Sequence, residues 1–212
     1  MEELVEGLKK AMFEDPVEDT RCVLHCEMKN EGFKTASKVQ YVARVGNFID
    51  NGADYTGALQ ILKVILSYDY LWQNVRVKGG AYGCMSGFSR TGEGYFVSYR
   101  DPNLERTMEV YEGIADYLRN FTVSDRDMNK YIIGTMSNID QPMTPSAKGD
   151  RSFNLYMNKV SAETIKKERL QILEAGQEDI RKLADVVEAV MKSRTGLRDR
   201  KRREDRRSKR YV

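Results

Sequence analysis

The feature that most constrains this chain is a pair of strand-like runs, residues 82–88 and 95–100, either side of Arg90-Thr91-Gly92-Glu93-Gly94. A short glycine-containing connection between two such runs marks a β-hairpin. A hairpin needs further strands or a covering helix to be stable, so it commits the chain to an antiparallel sheet. Immediately before it, Gly79-Gly80 stops a helical stretch that ends in Leu71-Trp72 and Arg76-Val77-Lys78.

The remaining pattern supplies partners for the hairpin. Residues 22–28 alternate, with Cys22, Leu24, Cys26 and Met28 on one side, and residues 39–45 alternate again, with Val39, Tyr41, Ala43 and Val45 on one face. Both read as strands. Residues 1–13 form an amphipathic helix pattern ended by Asp15-Pro16. Asp54 is placed to cap a helix from Tyr55 that is apolar nearly all round, breaks near Ser67 and restarts towards Arg76. Beyond the hairpin a helix is expected over 104–121, and Thr122/Ser124 with Asp127 resembles a capping box opening another towards Ile139. Residues 140–149, with Pro142 and Pro145, read as a loop, and 151–160 as a short helix. Ser161 caps a helix reaching Glu174, and Gly176 separates it from one over 178–192. The fold class is therefore α+β, an antiparallel sheet covered on one face by helices. One domain over 1–193 is expected, followed by a disordered basic tail over 194–212.

Charge and composition exclude several functions. Ten of the 35 Lys and Arg residues fall within 194–210 together with three of the 32 acids, so the body of the chain is mildly acidic. A nucleic-acid-binding fold is not indicated, although a basic tail on its own can meet phosphates. No apolar run reaches the length of about 18 residues that marks a membrane-spanning helix, and the acidic start is not a secretory signal. Three cysteines, Cys22, Cys26 and Cys84, without framework spacing fit reduced thiols. The single histidine, His25, has no metal-binding partner pattern, and in a strand it faces away from Cys22 and Cys26. The glycine-rich KGGAYG lacks the form of a phosphate-binding loop and precedes a strand rather than a helix. Arg76 and Tyr82 admit two readings. They clamp a carbonyl that gains negative charge, or Arg76 pairs with a carboxylate while Tyr82 packs in the core.

The run RVKGGAYG, with SYRDPN following at hairpin distance, resembles the last domain of the presequence-protease type of zinc peptidase in the pitrilysin/insulinase family (M16). NEGFKTASKVQYVARVGNF upstream and IIGTMSNIDQPMTPSAKG downstream extend the similarity from about residue 20 to about residue 192. The resemblance implies a metallopeptidase M16/LuxS-like domain, incomplete at both ends, from a protein of four related domains closing around a chamber. It implies zinc held by an HxxEH motif in an absent first domain, none bound by this chain, and short unstructured peptides as substrates. It also implies that Arg76 and Tyr82 are catalytic, holding the peptide backbone and stabilising the scissile carbonyl, with Gly79 and Gly80 beside them in the substrate-binding segment. Because HxxEH is absent, the chain is expected to be inactive alone, its partners being the parent's other domains and peptide rather than nucleic acid or membrane. The expected compartment is cytoplasmic, or the mitochondrial matrix in a eukaryote. The alternative is a non-catalytic binding or assembly module of the same fold. The family's final apolar strand is expected to be missing, RTGLRDRKRREDRRSKRYV standing in its place.

Overall fold

The computed structural model describes residues 31–35, 38–192 and 195–201, the first and last of these segments by their strand backbone. The helix expected over 1–13, the strand over 22–28, His25, Cys22 and Cys26 all lie outside the described residues.

Five strands form one sheet: β1 (Glu31–Thr35), β2 (Gln40–Asn47), β3 (Gly83–Phe88), β4 (Glu93–Asp101) and β5 (Thr195–Lys201), in the order β1-β5-β2-β4-β3. The β3–β4 hairpin and the β2–β4 pairing are antiparallel as expected. Two features correct the sequence reading. Thr195–Lys201 is a strand, not part of a disordered tail, and it pairs antiparallel with β2. On its other side it pairs parallel with β1, so the sheet is antiparallel except at that edge.

Among the described residues there are seven α-helices, the first between β2 and β3 and the other six between β4 and β5. The first, α1 (Ala58–Ile65), buries Leu59, Ile61, Leu62 and Ile65, as its apolar circumference requires. It opens at Gly57 rather than at an Asp54 cap, because the Gly57 N–H donates to Gln171 Oε1 at 2.8 Å. It does not break near Ser67. The helix widens into two π-helical turns, Leu66–Tyr70 and Trp72–Val77, and carries on to the diglycine. Next come α2 (Glu105–Glu112) and α3 (Ile114–Arg119), divided at Gly113, against which the Tyr70 hydroxyl lies.

The start of α4 (Asp125–Ile139) is the expected cap, Ser124 Oγ accepting the Asp127 N–H at 3.2 Å. The following helix, α5 (Pro145–Met157), starts earlier than expected. Thr144 caps it and Pro145 occupies the first turn, where a missing N–H costs nothing. Ser161 caps α6 (Ala162–Leu173), and Asp179 accepts the Gly176 N–H at the start of α7 (Gln177–Lys192).

The core lies between α1, the α2–α3 pair, α7 and one face of the sheet. Val42, Phe88 and Phe96 point into it, Phe96 packing against both Phe88 and Tyr111 at 5.9 Å between ring centres. Val190 of α7 approaches so close to Gly94 that a Cβ there would meet it. The other sheet face carries no helix among the described residues. Tyr41, Val45, Met85 and Tyr95 are exposed on it. Across β3 and β4, Tyr95 lies over Gly87 and Tyr99 over Gly83, each ring occupying the space a glycine leaves.

Candidate functional site

The candidate residues meet where α1 ends and the hairpin begins. In the second π turn the Lys78 N–H reaches back to Gln73 O at 3.0 Å, a bond five residues long. Such widened turns change which way the following side chains point. Arg76 is exposed there, and its guanidinium lies over the Trp72 ring at 4.1 Å.

The two glycines then turn the chain, each for its own reason. Gly79 is buried, with no room for a side chain beside the Val75 carbonyl. Gly80 adopts φ +78, a conformation that glycine takes without penalty. The Gly80 N–H donates to Arg76 O at 2.9 Å and the Ala81 N–H to Val75 O at 3.2 Å. Asn103 ties the far side, its Nδ2 donating to Gly79 O at 2.5 Å. Tyr82 emerges from this turn 59% exposed, its ring 5.4 Å from that of Tyr99.

Arg76, Gly80 and Tyr82 line one groove of about 470 Å³ together with Val77, Ala81 and Arg100. Gly79 is buried and does not line it. The structure thus brings Arg76 and Tyr82 to a single opening. Tyr82 is not packed in the core, and no carboxylate pairs with Arg76 among the described residues.

Arg100 is the member of this groove that the sequence does not announce. The β2–β4 register pairs Val42 with Ser98 but Gln40 with Asp101, so β4 carries an extra residue. Arg100 takes φ +49 at this bulge, an uncommon conformation for a side-chain-bearing residue that costs about 1–3 kcal/mol. Strand alternation alone would send Arg100 inward, as it sends Phe96 and Ser98. The bulge instead leaves it exposed and turns Asp101 into the interior. There Asp101 accepts from Ser98 Oγ at 2.6 Å, Thr107 Oγ1 at 2.7 Å and the Asn103 N–H at 2.8 Å. The Arg100 guanidinium lies 5.5 Å from the centre of the Tyr82 ring. The only signal in the sequence was Asp101-Pro102-Asn103, a turn signature that says nothing of the residue before it.

Chemically, the groove offers donors and positive charge but neither base nor nucleophile. Nearby Cys84 is half-buried, and burial pushes its thiol up to about 11 despite the opposing pull of Arg76. It is therefore a thiol and not a thiolate at neutral pH. No cluster of three or more His, Cys, Asp or Glu side chains occurs among the described residues. Two guanidinium groups at the groove repel a metal cation, so these residues do not fit a zinc ion. No helix among the described residues is long and apolar enough to cross a membrane.

Comparison with known proteins shows the family of the chain. The family described as "PreP C-terminal domain" matches residues 30–196. Protein HypA of Clostridium perfringens is 48% identical over 164 residues, covering 77% of this chain and 17% of that protein. The chloroplastic/mitochondrial presequence protease 1 of Arabidopsis thaliana is 34% identical over 164 residues, covering 77% of this chain and 15% of that protein. The chain thus spans about a sixth of the length of these relatives. Pitrilysin superposes with a TM-score of 0.60 over 92% of this chain and 22% of its own, at 16% identity, a likeness of fold.

Proposed function

Because the chain belongs to the PreP C-terminal domain family, we propose that it is the substrate-holding domain of a zinc-dependent peptidase, acting with further domains of a longer protein. The observation that carries this reading is the convergence of Arg76 and Tyr82 on one groove, both exposed and Arg76 without a carboxylate partner among the described residues. The Arg76 guanidinium and the Tyr82 hydroxyl are donors suited to a peptide carbonyl, and donors aimed at an oxygen that gains charge during bond cleavage strengthen as the charge develops. Gly79 and Gly80 keep the turn beside them narrow, so an extended backbone can approach. The open sheet face, with Tyr41, Tyr95 and Met85 exposed, offers apolar ground for the rest of a flexible peptide. The metal belongs with another domain, since the described residues do not fit it. The names of the presequence-protease relatives place those proteins in mitochondria or chloroplasts; for this chain we propose the mitochondrial matrix in a eukaryote and the cytoplasm otherwise.

Reconstitution tests the proposal. This chain is mixed with the part of its parent that bears HxxEH, and cleavage of a flexible fluorogenic peptide is followed with zinc present. Cleavage is expected only in the mixture. Arg76→Ala and Tyr82→Phe each lower turnover by about 10²–10³, the usual cost of losing an oxyanion-type donor. Full turnover in both variants would overturn the carbonyl-holding role and leave a binding or assembly module.

A further inference from the structure

We propose that the groove reads a carboxylate carried by the bound peptide, and that Arg100 is the residue that recognises it. The inference rests on the peptide-holding reading of Arg76 and Tyr82. A neutral carbonyl is served by those two donors, so the second guanidinium is surplus to that task. A group bearing full negative charge uses it.

Three observations place Arg100 for this role. The β4 bulge re-aims it from the interior to the groove, in a backbone conformation that side chains rarely adopt. The carboxylate next to it in sequence, Asp101, is fully buried and already accepts from Ser98, Asn103 and Thr107, so it turns away from the groove. Arg76 and Arg100 each contact an aromatic ring, Trp72 and Tyr82 respectively, and neither has a carboxylate partner among the described residues. A guanidinium held against a ring keeps its planar fork of N–H donors free for two parallel bonds to one carboxylate. Lysine in either position would supply charge without that fork.

The carboxylate has two sources, a peptide C-terminus or an aspartate or glutamate side chain, and the experiment separates them. Three short, flexible, otherwise uncharged N-acetylated peptides are titrated into the 212-residue chain and followed by chemical-shift changes at low salt. One ends in an amide, one in a free carboxylate, and one in an amide with a single internal aspartate. At least one carboxylate peptide is expected to bind about tenfold more tightly than the neutral one, at the lower end for hydrogen bonds to charged groups because the groove is open to water. The peptide that gains identifies the source. Arg100→Asn brings the ratio to about one, and asparagine tolerates the left-handed backbone at this position. Arg100→Gly, which relieves that backbone entirely, does the same. Equal affinities for all three peptides in the intact chain overturn this inference and leave the carbonyl-holding reading standing. A preference that survives Arg100→Asn overturns the role of Arg100. Binding of none of the three overturns both readings.

Discussion

An alanine Cβ at position 79 would fall against the carbonyl oxygen of Val75, whereas at position 80 it would meet only Pro102 Cγ at 3.6 Å. The two glycines therefore fail in different ways. At Gly80 the obstacle is the backbone angle, φ +78, and the left-handed region costs a non-glycine residue about 1–2 kcal/mol. At Gly79 the obstacle is backbone against backbone, which no rotamer change relieves. Urea unfolding of Gly80→Ala is expected to show a loss of about 1–2 kcal/mol, and Gly79→Ala a larger one. A smaller loss at 79 than at 80 would mean that the last π turn relaxes freely. The same pair of residues fixes where Arg76 and Tyr82 sit, so a stability loss at 79 should carry a loss of peptide binding with it. Cys84 belongs at this scale for the opposite reason. Its raised thiol pKa makes it packing material rather than a nucleophile, and the stability it lends by staying neutral is complete below about pH 9, then falls as pH rises towards about 11.

Among the elements, the end of β4 does most to shape the groove, because one bulge both buries Asp101 and exposes Arg100. Asp101 collects two hydroxyls and a backbone N–H in the interior. Asp101→Ala would leave those donors buried without acceptors, at roughly 1–3 kcal/mol for each group left unpaired. The melting temperature is expected to fall by several degrees or more, and the backbone amides of residues 99–101 and 103 to lose hydrogen-exchange protection. An unchanged melting temperature would mean that water replaces the carboxylate without cost. These elements also show what a sequence reveals. Ser124 and Ser161 marked their helices because a cap is a contact across three residues, visible in one window. Arg76 and Tyr82 stood out because a long, specific run surrounds them. The π turns left no such mark, since a bond over five residues needs no special residue type. Pro145 read as a loop former although, behind Thr144, it begins α5. The bulge at Arg100 depends on register with β2, about 60 residues earlier in the chain, and no local pattern encodes it.

At the scale of the whole molecule, β5 matters most, because it joins the two ends of the described chain. It lies between β1 and β2, pairing in opposite senses with each, and its residues Thr195–Lys201 are polar or basic but for Gly196 and Leu197. Composition argued against a strand there. Backbone hydrogen bonding to two neighbours outweighs it, since every central strand satisfies both its edges regardless of side chain. Without β5, β2 would present an unpaired edge to solvent, beside an open face that carries Tyr41 and Val45 exposed. An exposed edge next to apolar side chains is a template for pairing with another chain. Truncation after Lys192 is therefore expected to lower the melting temperature and to give association that rises with concentration, read by sedimentation velocity. The basic charge of 194–210 is lost in the same truncation, so a control is needed in which the strand stays and its charge goes. Replacing Arg198, Arg200 and Lys201 with threonine, a residue that favours strands, and Arg202, Arg203, Arg206 and Arg207 with serine supplies it, because seven cations are removed and the charge of 194–210 falls to zero. If β5 acts by pairing, this variant stays as stable and as dispersed as the intact chain. If it acts by charge repulsion, the variant associates like the truncation, and the strand pairing is not what keeps the sheet edge apart.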